Sequence, residues 1–167
     1  MATALNAVPD RSDVLIDANI FIYGLTAQSV ECKTFLERCS REEVTGISIY
    51  ECLHDATHKF MIGEGKQKGL FTSKGANYLS EHPEQVKLLT DYWANTLRLL
   101  ALNILFLPME EDVERAAHTE RVNAGLLTND SIIVAAMREY GITQIATNDR
   151  IFDTVIGISV FSPTDLP

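Results

Sequence analysis

The sequence predicts an α/β fold, with a parallel sheet covered by helices on both faces. Two observations carry that prediction. Short apolar runs rich in β-branched residues alternate five times with longer stretches of helical periodicity. The chain has 167 residues, 46% hydrophobic and 22% charged, which suits one ordinary domain able to bury a core without a metal or disulfide to hold it together. A third observation bears on function. Acidic and amide residues recur just past the apolar runs, and open parallel sheets place their sites beyond the carboxyl ends of the strands.

Residues 1–12 read as an N-terminal extension, and 13–167 as the domain itself. The first strand is Val14-Leu15-Ile16. Asp17-Ala18-Asn19 then supply side chains that favour a helix start. A helix follows over Ser29–Arg41, with Phe35, Leu36 and Cys39 on its apolar face. The second strand is Val44–Ile49. Ser48 and Glu51 stand in S-x-x-E spacing, a capping-box signature, and the helix they open runs to about Ile62. The stretch GEGKQKGLFTSKG, Gly63 to Gly75, reads as a mobile loop. Beyond it His82-Pro83-Glu84 begins a long amphipathic helix carrying Val86, Leu89, Trp93, Leu97 and Leu100. This enlarged middle section spans about 63–103. The third strand, Ile104–Leu107, stops at Pro108. Helices then cover Glu110–Ala124, ended by Gly125, and Thr128–Tyr140, ended by Gly141. The fourth strand is Gln144–Ala146, a short helix covers Asp149–Ile156, and the last strand is Ile158–Phe161.

Several classes are disfavoured at once. The densest apolar run, Leu99–Leu107, is far short of the roughly 20 residues that a membrane helix needs. The N-terminus lacks a basic region followed by an apolar one, so no membrane association or secretion is expected. Cys32, Cys39 and Cys52 are odd in number and lack CxxC spacing, which suits reduced thiols in a cytoplasmic protein. The net charge is −9, which argues against a chain that grips nucleic acid with its whole surface. The exception is residues 54–75, where Lys59, Lys66, Lys68 and Lys74 outnumber Asp55 and Glu64. These four lysines are the candidate contacts to a polyanion.

The acids set the chemistry. Asp17 follows the first strand, Glu51 lies in the first turn after the second, Asp130 starts the helix before the fourth, and Asp149 follows the fourth with Asp153 a turn later. Each has an ordinary reading as a helix cap or a first-turn charge. A doubly wound sheet, however, brings at least four carboxylates to one edge. Two unit charges about 4 Å apart repel by about 4 kcal/mol at an effective dielectric near 20. No Lys or Arg cluster lies at those strand ends to offset this, which favours a bound cation. All-oxygen ligation suits Mg²⁺ or Mn²⁺.

These residues resemble a known family. VLIDANIFIY at 14–23, ISIYE at 47–51 and LLTNDSIIVAAMREYGITQIATNDRIFD at 126–153 are similar to PIN-domain ribonucleases, above all the VapC-type toxins of prokaryotic toxin–antitoxin pairs. The resemblance covers both ends of the domain and is poor over roughly 54–109. It implies five parallel strands in the order 3-2-1-4-5. It makes Asp17, Glu51, Asp130 and Asp149 the catalytic, metal-holding acids for Mg²⁺ or Mn²⁺. Asn19 and Thr147 become supporting residues, and Asp153 a further one. The implied activity is endonucleolytic hydrolysis of RNA, leaving 5′-phosphate and 3′-hydroxyl ends. Asp17 or Asp130 would orient or deprotonate the attacking water, and no His is required. The implied partners are RNA, a small antitoxin protein and a second copy of the chain. The alternatives are a non-toxin RNA-processing nuclease and a non-catalytic binding or scaffold module of the same fold. A phosphatase of the haloacid-dehalogenase type is disfavoured because Asn19 stands where its second acid belongs.

Overall fold

Why the strands are so short follows from where they lie. The central strands are buried on both faces, so a run of two to four buried residues suffices, and the polar residues begin where the sheet ends. The computed structural model describes residues 2–166; Met1 and Pro167, the outer ends of the two expected segments, lie outside them. The strands are β1 (Thr3–Ala4), β2 (Asp13–Ile16), β3 (Thr45–Ile49), β4 (Leu105–Leu107), β5 (Gln144–Ala146) and β6 (Ser159–Ser162). The helices are α1 (Ala18–Leu25), α2 (Val30–Ser40), α3 (Tyr50–Gln67), α4 (Gly75–Glu81), α5 (Pro83–Val86), α6 (Asp91–Leu100), α7 (Glu111–Ala124) and α8 (Thr128–Glu139).

All strand pairs are parallel, in the order β1-β6-β5-β2-β3-β4. The five expected strands thus hold the expected order, and a sixth is added at one edge. Thr3 and Ala4 pair with Phe161 and Ser162. Leu5 and Val8, which follow, are buried in the core. Order reverses around β2, which pairs with both β3 and β5. Asp17 leaves the sheet there. The core is continuous, with Phe21, Phe35 and Phe152 its largest fully buried side chains.

The middle section differs from its sequence reading in two places. Gly63 to Gly75 is not a mobile loop throughout. α3 runs through Gly63 and Gly65 to Gln67, and α4 starts at Gly75. The Phe71 ring packs over the two helices there, and a Cβ at Gly65 would lie 2.7 Å from it. These glycines provide close approach rather than freedom.

The amphipathic stretch is also not one helix. It breaks between α5 and α6 because Glu64, buried near the end of α3, receives the backbone N–H groups of Thr90 (2.8 Å) and Tyr92 (2.9 Å). Lys68 closes the cluster at 2.6 Å. Burial opposes the Glu64 charge, but the Lys68 ammonium and these N–H donors outweigh it and hold its carboxyl down at about 2. A lowered carboxyl contributes stability above its unfolded value, lost as pH falls through the folded one. Glu64→Gln is therefore expected to cost about 2 kcal/mol at neutral pH. The difference from wild type should vanish as pH falls from about 4.5 toward 2, which denaturant unfolding across that range checks.

Candidate active site

Four chain segments deliver polar residues to the carboxyl edge of the sheet. β2 ends at Ile16, and the Asp17 N–H donates to Ala146 O of β5 (3.0 Å), which fixes where Asp17 sits. β3 ends at Ile49, so Glu51 lies in the first turn of α3. Asp130 lies in the first turn of α8. β5 ends at Ala146, and Thr147, Asn148 and Asp149 follow. Asp17, Glu51, Asp130 and Asp149 all line one cleft of about 500 Å³, as does Asn19.

Thr147 is the hub of the cleft. It is fully buried. Its hydroxyl donates to Asp17 Oδ2 (2.6 Å) and accepts from Asn19 Nδ2 (3.1 Å) and from the Asp149 N–H (3.0 Å). Asn19 Nδ2 also donates to Asp17 Oδ2, and Asn19 Oδ1 accepts from the Asn148 N–H (3.0 Å). Thr147 is itself anchored, since its N–H reaches Phe161 O (3.0 Å) and its carbonyl accepts from Ser162 Oγ (2.6 Å). One bonded network therefore fixes Asp17 and the Asp149 backbone relative to β5 and β6.

The electrostatics are those of crowded acids. Burial pushes the Asp17 carboxyl up to about 6, against the hydrogen bonds from Thr147 and Ala18, and the charges of Asp130 and Asp149 push it the same way. Burial and then Asp149 raise Asp130 as well. The capping-box reading of Glu51 does not hold. Ser48 Oγ donates to Ile16 O (2.8 Å), and α3 has no side-chain cap. Glu51 Oε2 is instead buried with no hydrogen-bond partner among the described residues. Of the acids at this edge, Asp149 does cap a helix, accepting from the Ile151 N–H (2.9 Å).

An orphaned carboxylate oxygen beside a desolvated Asp is a site that a cation would relieve. The donor set is oxygen throughout, which fits Mg²⁺ or Mn²⁺. Among the described residues no three His, Cys, Asp or Glu side chains converge tightly enough to hold an ion by themselves. An ion here would complete its shell with water, as Mg²⁺ commonly does.

The cleft contains residues that the sequence reading passed over as site residues. Asp55 stands one turn after Glu51, and Tyr23 one turn after Asn19; both line the cleft, with Asn129 before Asp130. The signal was present for Asp55, because i and i+4 share a helix face. Cys52 also lines it, its thiol pushed up by burial and by the Asp17 charge. Of the four candidate lysines, Lys59 lines the cleft. Lys68 is ion-paired to Glu64 and donates to Leu88 O (3.0 Å). Lys66 and Lys74 are exposed and do not line the cleft. Asp153 lies elsewhere too, lining a separate cleft with Thr3, Asn148, Arg150 and Thr164.

The family model of the PIN domain matches residues 14–157. Among solved structures, the chain is similar to the crystal structure of VapBC2 from Rickettsia felis bound to a DNA fragment from their promoter. That match has 14% identity, covers 90% of this chain and 98% of the other, and has a TM-score of 0.54. A toxin–antitoxin complex from Klebsiella pneumoniae matches at 17% identity over 87% of this chain and 94% of the other, with a TM-score of 0.49. At 14% identity the likeness to the Rickettsia felis structure is one of fold. Among curated proteins none matches the sequence.

Proposed function

We propose, because this chain belongs to the PIN-domain family, that it is an endoribonuclease depending on Mg²⁺ or Mn²⁺ and hydrolysing RNA phosphodiester bonds. PIN domains are nucleases, in general dependent on divalent metal. The observation that carries the reading is the buried, unpartnered Glu51 Oε2 in the same cleft as the desolvated Asp17. Asp17, Glu51, Asp130 and Asp149 would hold the ion. When bound it supplies charge neutralisation at the scissile phosphate and a more acidic water.

The chain's own residues do the rest. Thr147 and Asn19 fix Asp17 through Oδ2, so this carboxylate meets the ion without first having to be ordered. Asp130, its pKa raised by burial and by Asp149, would take a proton from the attacking water. Asn19 belongs to the site as a positioning residue. Asp153 in its separate cleft has no such part in the proposal.

Lys59 is the cation lining this acidic cleft, and among the described residues it has no ion pair. It is therefore assigned a phosphate of the RNA strand. Lys59→Ala is expected to weaken RNA binding and to lower the slope of log affinity against log salt by about 1, read by anisotropy of labelled RNA over a salt series. Lys66 and Lys74 are offered only as outer contacts.

The proposal extends to a toxin role. α6 exposes Trp93, Leu97 and Leu100 along one stripe, about half accessible each, and that stripe is a seat for a small antitoxin protein. A homodimer and a cytoplasmic site of action complete the reading. Among the described residues no helix is long and apolar enough to cross a membrane.

The test is cleavage of end-labelled single-stranded RNA by the purified protein with Mg²⁺, with Mn²⁺ and with EDTA. Cutting that needs the metal supports the reading. Binding of RNA without cutting under every metal condition would favour a non-catalytic module instead.

A further inference from the structure

The flank of α3 toward β4, next in sequence to the cleft-lining Glu51, holds a feature that metal chemistry does not use. Tyr50 is the first residue of α3, immediately before Glu51, and its side chain is 48% exposed. Its ring lies against Phe106 of β4, tilted by 32° with centroids 5.3 Å apart. His54, one helical turn on, lies 6.4 Å from the ring. Phe106 packs against the core, and the register of β3 and β4 places it at the same carboxyl edge as the acids. The Tyr50 hydroxyl makes no hydrogen bond among the described residues. Tyr140, also exposed, contrasts with it: its hydroxyl is engaged at Pro108 O (3.3 Å). Tyr50 is thus a braced ring with an open side.

Its distance from the acids is set by the chain. The Cα atoms of Tyr50 and Glu51 are about 3.8 Å apart, and their side chains diverge by about 100° around the helix. Tyr50 and His54 therefore form one flank of α3, while Glu51, Asp55 and Lys59 face the cleft. A strand whose phosphate sits among the acids would bring a neighbouring base to the Tyr50 flank. An aromatic face on a nuclease lip suits a base, because every base has a π-face to stack.

We propose that Tyr50, braced by Phe106 and His54, is a stacking platform for a base beside the scissile phosphate. The inference rests on the nuclease reading above, and the experiment separates the two.

The substrate is a labelled single-stranded RNA that the wild type cuts, remade with an abasic site at each position near the cut in turn. Wild type should lose roughly tenfold in kcat/KM, about 1.4 kcal/mol, at one abasic position and little at the rest. Tyr50→Ala should show the same loss on intact RNA, mainly through KM, and no further loss at that position. Tyr50→Phe should behave as wild type. Should Tyr50→Ala fail to fold, Tyr50→Leu, which keeps apolar bulk against Phe106 but has no π-face, takes its place and should show the same loss. Wild-type cutting indifferent to every abasic position overturns the platform and leaves the nuclease standing. So does an Ala variant with wild-type KM. No cutting of any RNA overturns the nuclease reading and this one with it.

Discussion

Asp17→Asn is expected to abolish RNA cleavage and at the same time to stabilise the metal-free protein. Both effects come from one carboxylate. The Asn carbonyl takes the place of Oδ2 and keeps the bonds from Thr147 and Asn19, so the local geometry survives. What goes is the charge at the acid most strongly desolvated in the cleft. Loss of cutting by at least about a thousandfold, roughly 4 kcal/mol of transition-state stabilisation, is expected for removing a metal-holding acid.

The stability change has the opposite sign. The Asp17 carboxyl is raised from 3.8 to about 6 on folding, so the folded state binds its proton more tightly than the unfolded chain does. Its favourable contribution is complete below the unfolded value and is lost as pH rises through about 6. Above that pH the ionised group opposes folding by about 3 kcal/mol, which its removal relieves. In EDTA at pH 7 the Asn variant should melt about 6–12 °C higher than wild type. The gap should close as pH falls toward 4. An equal or lower Tm, flat with pH, would show that Asp17 is not a charge held at a cost for function.

Thr147→Val is expected to damage stability and activity together. Valine matches threonine in shape, so packing in this fully buried position is kept. The hydroxyl serves three groups, and all three lose it. The Asp149 N–H and Asn19 Nδ2 lose an acceptor, and Asp17 Oδ2 loses a donor. The Asp149 N–H is left without a partner while Asn19 Nδ2 and Asp17 Oδ2 keep each other, at a cost of about 2–4 kcal/mol in total. The loosened Asp17 should lower the cleavage rate by about 10- to 100-fold. Thr147→Ser keeps the hydroxyl and removes one methyl, so it should cost about 1 kcal/mol and retain most activity. Denaturant unfolding and single-turnover cleavage of the two variants measure the contrast. A Val variant that cuts like wild type would remove Thr147 from the account.

Much of the architecture was legible because the sheet is parallel and buried. Runs such as Val14–Ile16 have one stable placement, and the polar residues that end them fall on one edge. Three features escaped the sequence, each for its own reason. The edge strand at Thr3–Ala4 is two residues long and carries no periodicity; only its pairing with β6 defines it. The break before α6 depends on Glu64, which lies 26 residues before Thr90. The glycines at 65 and 75 read as flexible, yet their smallness admits the Phe71 ring.

At the site, periodicity brought four acids to one edge and the structure places all four in one cleft. Spacing alone misled where a side chain had two uses. Ser48 fits a capping box with Glu51 but bonds back to β2 at Ile16, which leaves Glu51 to the cleft. Asp153 has acidic spacing after β5, but the turn of chain after Arg150 carries it into a different cleft.

The carboxylates of the cleft are proposed to hold a divalent ion. Calorimetric titration of Mn²⁺ into metal-free wild type and Asp17→Asn tests this most directly. Saturable binding to wild type, with the heat lost in the variant, is the predicted result. No binding to wild type, or equal binding to both, would contradict it.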